Sequence, residues 1–110
     1  MELNQILNTL NYDYQMINYD SDDEKVEVTG ICYDSREVKP NDLFVCIEGE
    51  NVDSHNFALE AEKKGASAIL ASKKLINITV PTILVDKTLT AMALISNQLT
   101  GNPSQKLKLI

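Results

Sequence analysis

Leu43-Phe44-Val45-Cys46-Ile47, a loop, the stretch from Asp53 to Gly65, then Ala68-Ile69-Leu70-Ala71: this succession decides the fold. The first run is continuously apolar and bounded by turn residues, the pattern of a strand buried on both faces of a sheet. The second carries helix signals. Asp53 is placed to cap it, Val52 to pack on Phe57 as a hydrophobic staple, and Gly65 to close its C-terminus. Between them Phe57, Ala58 and Ala61 form an apolar face, and Glu60, Glu62, Lys63 and Lys64 face water. The third run reads as another strand. Strand, helix and strand in that order predict an α/β domain with a partly parallel sheet.

Outward from this unit the same alternation continues. Downstream, Thr82-Ile83-Leu84-Val85 is a strand candidate with Pro81 at its entry. Asp86 or Thr88 then starts a helix through about Leu99, which Gly101 and Pro103 end. Upstream, Val26, Val28 and Ile31–Tyr33 are extended, with Gly30 marking a bulge or bend. Leu3, Ile6, Leu7 and Leu10 recur at helical spacing, so Glu2–Leu10 is expected to be a short amphipathic helix. Asn11–Lys25, with Tyr12, Tyr14 and Tyr19 among polar residues and an acidic run at Asp20–Glu24, reads as a solvated connection. The fold class is α/β: a small sheet of mixed or mostly parallel strands flanked by helices. Lys106–Ile110 alternates like one more strand, and an unpaired apolar edge invites aggregation, so this strand is expected to lead into a further domain.

Composition narrows the function classes. The 110 residues suffice for one compact domain, with 44% hydrophobic and 24% charged residues. No apolar run reaches the roughly 18–20 residues that span a bilayer. The N-terminus has no basic stretch followed by an apolar one, so the expected compartment is the cytoplasm. A formal charge of −6 argues against a nucleic-acid partner, and it gives an anionic ligand no help from the overall field. Cys32 and Cys46 lie in apolar runs and are expected to be buried reduced thiols, and together with the single His55 they are too few for a zinc site. Asp22-Asp23-Glu24 lacks metal-loop spacing.

Two loops carry candidate chemistry. At Tyr33-Asp34-Ser35-Arg36, Asp34 can close a turn on the following amides, Ser35 offers a hydroxyl, and Arg36 offers a planar fork suited to phosphate. These groups would hold a polar nucleotide moiety; equally, they would make a surface turn closed by an Asp34–Arg36 interaction, and residue types alone favour the turn. The second loop is Gly49-Glu50-Asn51-Val52-Asp53-Ser54-His55, between a strand's carboxyl end and a helix, where ligands gather on α/β sheets. Glu50 opposes an anion there, so Asn51 and the backbone suit a uracil or ribose better. His55 in the first helical turn reads as surface or structural. None of Gly30, Gly49, Gly65 and Gly101 opens a Gly-x-x-x-x-Gly-Lys-Ser/Thr phosphate loop, and no nucleophile–histidine pair is evident. The residues nominate no catalytic group.

The stretch Tyr33-Asp34-Ser35-Arg36-x-Val38-x-Pro40-x-Asp42-Leu43-Phe44-Val45, then Gly49-x-x-x-Asp53-x-His55-x-Phe57, then Ala61 and Gly65-Ala66, closely resembles the N-terminal domain of the Mur ligases. Within them it is most similar to the branch that adds the third residue of the peptidoglycan stem peptide. Asn102-Pro103-Ser104-x-Lys106-Leu107-Lys108-Leu109-Ile110 resembles the family stretch entering the glycine-rich ATP loop. The resemblance implies that residues 1–105 form a domain binding the uridine-diphosphate end of UDP-N-acetylmuramoyl-L-Ala-D-Glu, while 106–110 start a strand into an ATP-binding central domain. It implies a bacterial cytoplasmic ligase using ATP and magnesium, which joins L-lysine or meso-diaminopimelate to the glutamate carboxylate through an acyl phosphate, outside these residues. By the same resemblance Ser35 contacts the nucleotide sugar and Tyr33 lines its pocket. Glu50, Asn51 and Val52 match the second substrate-contacting loop, and Asp34 and Arg36 match the motif. Ser54 stands where the family usually has glycine, and Asn41 where Pro-Gly-Asp is common; asparagine tolerates the left-handed conformation such a turn needs. The sequence leaves two other readings: the first domain of the sister ligase adding D-alanyl-D-alanine, and a non-catalytic α/β interaction module.

Overall fold

A computed structural model describes residues 2–10, 14–47 and 54–100. Helix α1 is Leu3–Thr9, strand β1 Gln15–Ile17, β2 Gly30–Cys32, β3 Asp42–Val45, helix α2 Ala58–Lys63, β4 Ala68–Ala71, β5 Thr82–Leu84, and α3 Thr88–Thr100. The strands form one sheet in the order β1-β5-β4-β3-β2. β2, β3, β4 and β5 run parallel, and β1 joins β5 antiparallel, with Gln15 opposite Leu84 and Ile17 opposite Thr82. This is the mixed, mostly parallel sheet that the alternating pattern predicts.

Period-two alternation along the central strands divides the core in two. Leu43, Val45, Ala68, Leu70, Ile83 and Val85 point to one face and pack with Leu3, Ile6 and Leu7 of α1 and Ala91 and Ile95 of α3. Phe44, Cys46, Ile69 and Ala71 point to the other and pack with Ala58 and Ala61 of α2 and with Ile78. Both β3 and β4 are buried along their whole length, which is why they read as unbroken apolar runs. Each fully buried aliphatic side chain here contributes about 1.5–3 kcal/mol of burial.

The C-terminus of α2 closes as its sequence suggests. Gly65 has φ of +110°. Its N–H donates to the Glu62 carbonyl at 3.0 Å, and that of Ala66 to the Ala61 carbonyl at 3.1 Å, the paired bonds of a Schellman motif. A Cβ on Gly65 would lie 2.9 Å from Pro40 Cα, so the position excludes side chains on space as well as on backbone angle. Pro40 and Asn41 form the corner of a type II turn: Asp42 N–H donates to the Lys39 carbonyl at 3.1 Å, and Asn41 has φ of +71°. Asparagine thus does take the left-handed role there. Gly30 is neither a bulge nor a bend but a paired strand residue, where a Cβ would lie 2.7 Å from Asp42 Oδ1.

Several expectations are corrected. Asn11–Lys25 is not all solvated connection: Gln15–Ile17 is an edge strand, and Ser21–Lys25 is a 3-10 turn whose Asp22 and Asp20 N–H groups donate to the Asp20 and Asp23 carboxylates. The strand is three residues long and at most half-buried, so no alternation marks it. Phe57 does not join the apolar face of α2. The chain enters the helix through a 3-10 turn, Ser54–Phe57, and Phe57 is the non-helical residue before α2, with φ −109° and ψ 8°, and 41% exposed. That right-handed turn also accommodates serine at 54 without strain. Glu62 does not simply face water. Its carboxylate accepts from Thr79 N–H at 2.7 Å, Val80 N–H at 3.2 Å and Thr79 Oγ1 at 3.1 Å, tying down the crossover from β4 to β5. Cys46 is buried, whereas Cys32 is half-buried and donates its thiol to the Asp34 carbonyl at 3.0 Å. The cap at Asp53, the staple at Val52, and the strand at 106–110 lie outside the described residues. No helix among the described residues is long and apolar enough to cross a membrane.

Candidate functional site

Parallel strands deliver their following loops to one edge of the sheet, and the loop after β2 lands beside β3 and the start of α2. A cavity of about 620 Å³ opens there. Tyr33, Asp34, Ser35 and Arg36 form one side of it, Phe57 and Glu60 of the α2 entry another, and Phe44 of β3 lines it as well. The four residues singled out in the first loop are thus brought together around one space.

The local chain geometry follows from Asp34. Its Oδ1 accepts from the Arg36 N–H at 2.9 Å, which caps a 3-10 turn at Ser35–Glu37. The same carboxylate takes the guanidinium fork: Arg36 Nε donates to Oδ1 at 3.1 Å and Nη2 to Oδ2 at 2.9 Å. The side-chain bond from Arg36, then the backbone bond from the same residue, hold the Asp34 carboxyl down at about 2, and Asp34 pushes the Arg36 guanidinium up. The turn is therefore closed by the Asp34–Arg36 interaction, which takes the Nε–Nη2 edge of the guanidinium and offsets its charge.

Ser35 differs from its neighbours. It is only 8% exposed, yet it lines the cavity, and its hydroxyl has no hydrogen-bond partner among the described residues. That oxygen is not sealed in the core, since among the described residues Asn4 Oδ1 is the buried side-chain oxygen left without a partner, so the Ser35 hydroxyl is open to water or a ligand. Tyr33, by contrast, is 62% exposed. Glu50, Asn51 and Val52 lie outside the described residues. His55 serves the structure: it is buried, and its Nε2 accepts from the Ser72 N–H at 3.0 Å.

Three residues of the cavity were not nominated from sequence: Phe44, Phe57 and Glu60. Phe44 and Phe57 had been assigned to packing, and Glu60 to the wet face of a helix. The signal that was available is that Phe57 sits at the junction of loop and helix, where a large apolar residue need not turn inward. Glu60 also pairs with Lys64 one helical turn on, at 3.5 Å. Each charged residue of the cavity wall thus has a partner of opposite sign, Asp34 and Arg36 each other, and Glu60 the neighbouring Lys64. Among the described residues no three His, Cys, Asp or Glu side chains come together to hold a metal ion.

Comparison with known proteins places this site within a shared segment. The family model described as Mur ligase family, catalytic domain, matches residues 27–99, a span that includes every described residue of the cavity. A UDP-N-acetylmuramoyl-L-alanyl-D-glutamate–2,6-diaminopimelate ligase from Listeria monocytogenes is 46% identical over 87 residues, covering 79% of this chain and 18% of its own. The ligase of the same name from Lactiplantibacillus plantarum is 36% identical over all 110 residues, which are 22% of its length. The chain thus spans about a fifth of the length of these curated relatives. Among solved structures, the MurF ligase from Thermotoga maritima in complex with ADP superposes with a TM-score of 0.57 at 30% identity, over 66% of this chain and 16% of that one. A MurF from Acinetobacter baumannii reaches 0.66 at 21% identity over 83% of this chain and 19% of its own, a likeness of fold alone. A family model that covers most of the chain, with the cavity inside it, leads to one assignment: this chain belongs to the Mur ligase family.

Proposed function

We propose that the chain is the domain of a diaminopimelate- or lysine-adding Mur ligase that grips the uridine-diphosphate end of UDP-N-acetylmuramoyl-L-Ala-D-Glu. The observation that carries this reading is Ser35, a buried residue that lines a cavity at the carboxyl edge of a parallel sheet and whose hydroxyl has no partner among the described residues. A ligand hydroxyl or phosphate oxygen would satisfy it. Tyr33 walls the same space, and Asp34 and Arg36 shape the turn that presents Ser35. Glu50, Asn51 and Val52 are assigned to the second substrate loop by family resemblance.

Residues 1–105 are proposed as the binding domain and 106–110 as the lead into a central domain, in keeping with relatives about five times longer. ATP and magnesium belong in that central domain on this reading, since no glycine of the chain opens a phosphate loop. In such a ligase the acid of the dipeptide is activated and joined to an amine far from Ser35. What these residues contribute is orientation: holding the remote end fixes the reacting end, and correct placement is worth several kcal/mol of barrier. The compartment proposed is the bacterial cytoplasm, where soluble nucleotide-linked precursors would be met.

A second reading, the sister ligase adding D-alanyl-D-alanine, draws on the likeness to the Thermotoga MurF. The 46% identity to a diaminopimelate-adding enzyme, against 30% to that MurF, favours the first.

The test is isothermal titration of UDP-N-acetylmuramoyl-dipeptide into the wild-type chain and Ser35→Ala, without ATP. Weak binding is expected, and the variant should lose about five- to tenfold, the loss of one hydrogen bond. Equal affinities would remove Ser35 from the site. The chain alone is expected to show no ligase turnover.

A further inference from the structure

We infer that the N-terminus of α3 is a second ligand site, one that takes an oxyanion, phosphate or carboxylate, on the amides of Thr88, Leu89 and Thr90 and the Thr88 hydroxyl. The site shares no lining residue with the cavity beside Ser35.

Three observations meet there. The first is topological. β4 lies between β3 and β5, and the helices that follow its two neighbours pack on opposite faces of the sheet, α2 on that of Phe44 and Ile69, α3 on that of Val45 and Leu70. Where connections leave a parallel sheet on opposite sides, a crevice opens at the carboxyl ends of the strands. A cavity of about 330 Å³ lies there, lined by Ile47 beyond β3, Ser72 beyond β4 and residues 86–90, which lead into α3.

The second is the open end of the helix. The N–H groups of a first helical turn have no carbonyl partner, and a side chain just ahead normally accepts from one of them. In α3 the first backbone bond runs from Ala91 N–H to the Lys87 carbonyl at 3.2 Å. Among the described residues the N–H groups of Thr88, Leu89 and Thr90 meet no acceptor, and the Asp86 carboxylate, of a type suited to capping, takes none of them. Three open amides at the positive end of a 13-residue helix favour negative charge.

The third is Thr88 itself. It is only 7% exposed, and its hydroxyl bonds to no described residue. Among these residues Asn4 Oδ1 is the side-chain oxygen sealed without a partner, so Thr88 Oγ1 is not sealed, and the opening it keeps is at the cavity wall. That hydroxyl can donate to an oxyanion held by the neighbouring amides. Asp86 and Lys87, both exposed at the same wall, offset each other, so the helix terminus sets the sign of the site. Asp86 weakens the attraction and keeps the affinity low.

The test is titration of inorganic phosphate, and separately of acetate, into the whole 110-residue chain, followed by amide nitrogen–proton correlation spectra at constant ionic strength. Saturable shifts are expected at the Thr88, Leu89 and Thr90 amides, with Kd of roughly millimolar order. Tighter phosphate assigns the site to a phosphate-bearing ligand, tighter acetate to a carboxylate. Thr88→Val, which exchanges the hydroxyl for a methyl group, should weaken binding about fivefold, and Thr88→Ser should stay within about twofold of the wild type. Asp86→Ala, at an exposed position, removes the opposing charge and should tighten binding about threefold. Shifts that grow without saturating for both anions, or that spare these three amides, would overturn the inference. So would Thr88→Val binding as tightly as the wild type. Should that variant fail to fold, Asp86→Ala decides alone: unchanged or weaker binding there overturns the placement of the anion.

Discussion

The connection from β2 to β3 has two halves, and they follow opposite rules. In the first, Tyr33–Arg36, side chains point out: Tyr33 is 62% exposed and the Arg36 side chain 83%, and the one buried group, Ser35, has its hydroxyl unpartnered among the described residues. In the second, Lys39–Asp42, nearly every polar group of the backbone is spoken for. Asn41 N–H donates to the Gly65 carbonyl, Thr29 N–H to the Asn41 carbonyl, and Asp42 Oδ2 accepts from Lys39 N–H, each at 2.9 Å. The two halves are adjacent in one motif, yet one is built to be completed by something else and the other is complete. A contiguous sequence signature therefore mixes two kinds of residue, those that make the platform and those that stand on it. Only the hydrogen-bond inventory separates them.

Substitutions sharpen this contrast, and the largest effect is expected in the complete half. Gly65→Ala forces a side chain into φ of +110° and puts its Cβ 2.9 Å from the backbone of Pro40, a contact with main chain and not with the far end of a flexible side chain. It should cost at least about 2 kcal/mol, or roughly 10 °C in Tm, measured by thermal and urea denaturation. A stability loss below about 0.5 kcal/mol would show that the Pro40–Gly65 contact relaxes readily, and that the second half is less rigid than its bonds imply. Next comes Asn41, at φ of +71°. Asn41→Ala should cost about 1 kcal/mol, whereas Asn41→Gly should stay within about 0.5 kcal/mol of the wild type, because only the alanine meets the left-handed penalty. Equal losses in the two would point to the asparagine side chain instead of its backbone.

The same division explains what the sequence disclosed. β3, α2, β4, β5 and α3 were legible because burial on one or both sides imposes a repeating apolar pattern, and Gly65 because a helix stop needs positive φ. β1 was not, because Gln15–Ile17 is a three-residue edge strand whose pairing with β5 is a matter of backbone bonds and leaves no alternation in side chains. In the candidate site, Tyr33–Arg36 stood out as a polar turn after a strand. Phe57 was hidden by a correct general rule applied one residue too early: helix periodicity assigns faces only from Ala58, and Phe57 belongs to the 3-10 entry. Glu60 was rightly placed on an open face, but whether such a face borders solvent or a cavity depends on what the loop after β2 does, which is a long-range fact.

The smallest expected effect, and the most direct probe of the open half, is the charge closure at Asp34. Its carboxyl lies at about 2 in the folded chain against an ordinary 3.8, chiefly because of the Arg36 side-chain bond and then its backbone bond. A depressed acid stabilises the folded form wherever it is ionised in both states, so its contribution is fully present above about pH 3.8 and is lost as pH falls through about 2. Asp34→Asn keeps an oxygen for the Arg36 N–H but removes the ion pair. The urea midpoint of the wild type should fall more steeply than that of the variant between those two pH values, and the two should run parallel above them. Because the pair is largely exposed, the gap should be small and should shrink with added salt. Parallel curves throughout would mean that the fork is not closed in solution and that Arg36 is free to meet an anion.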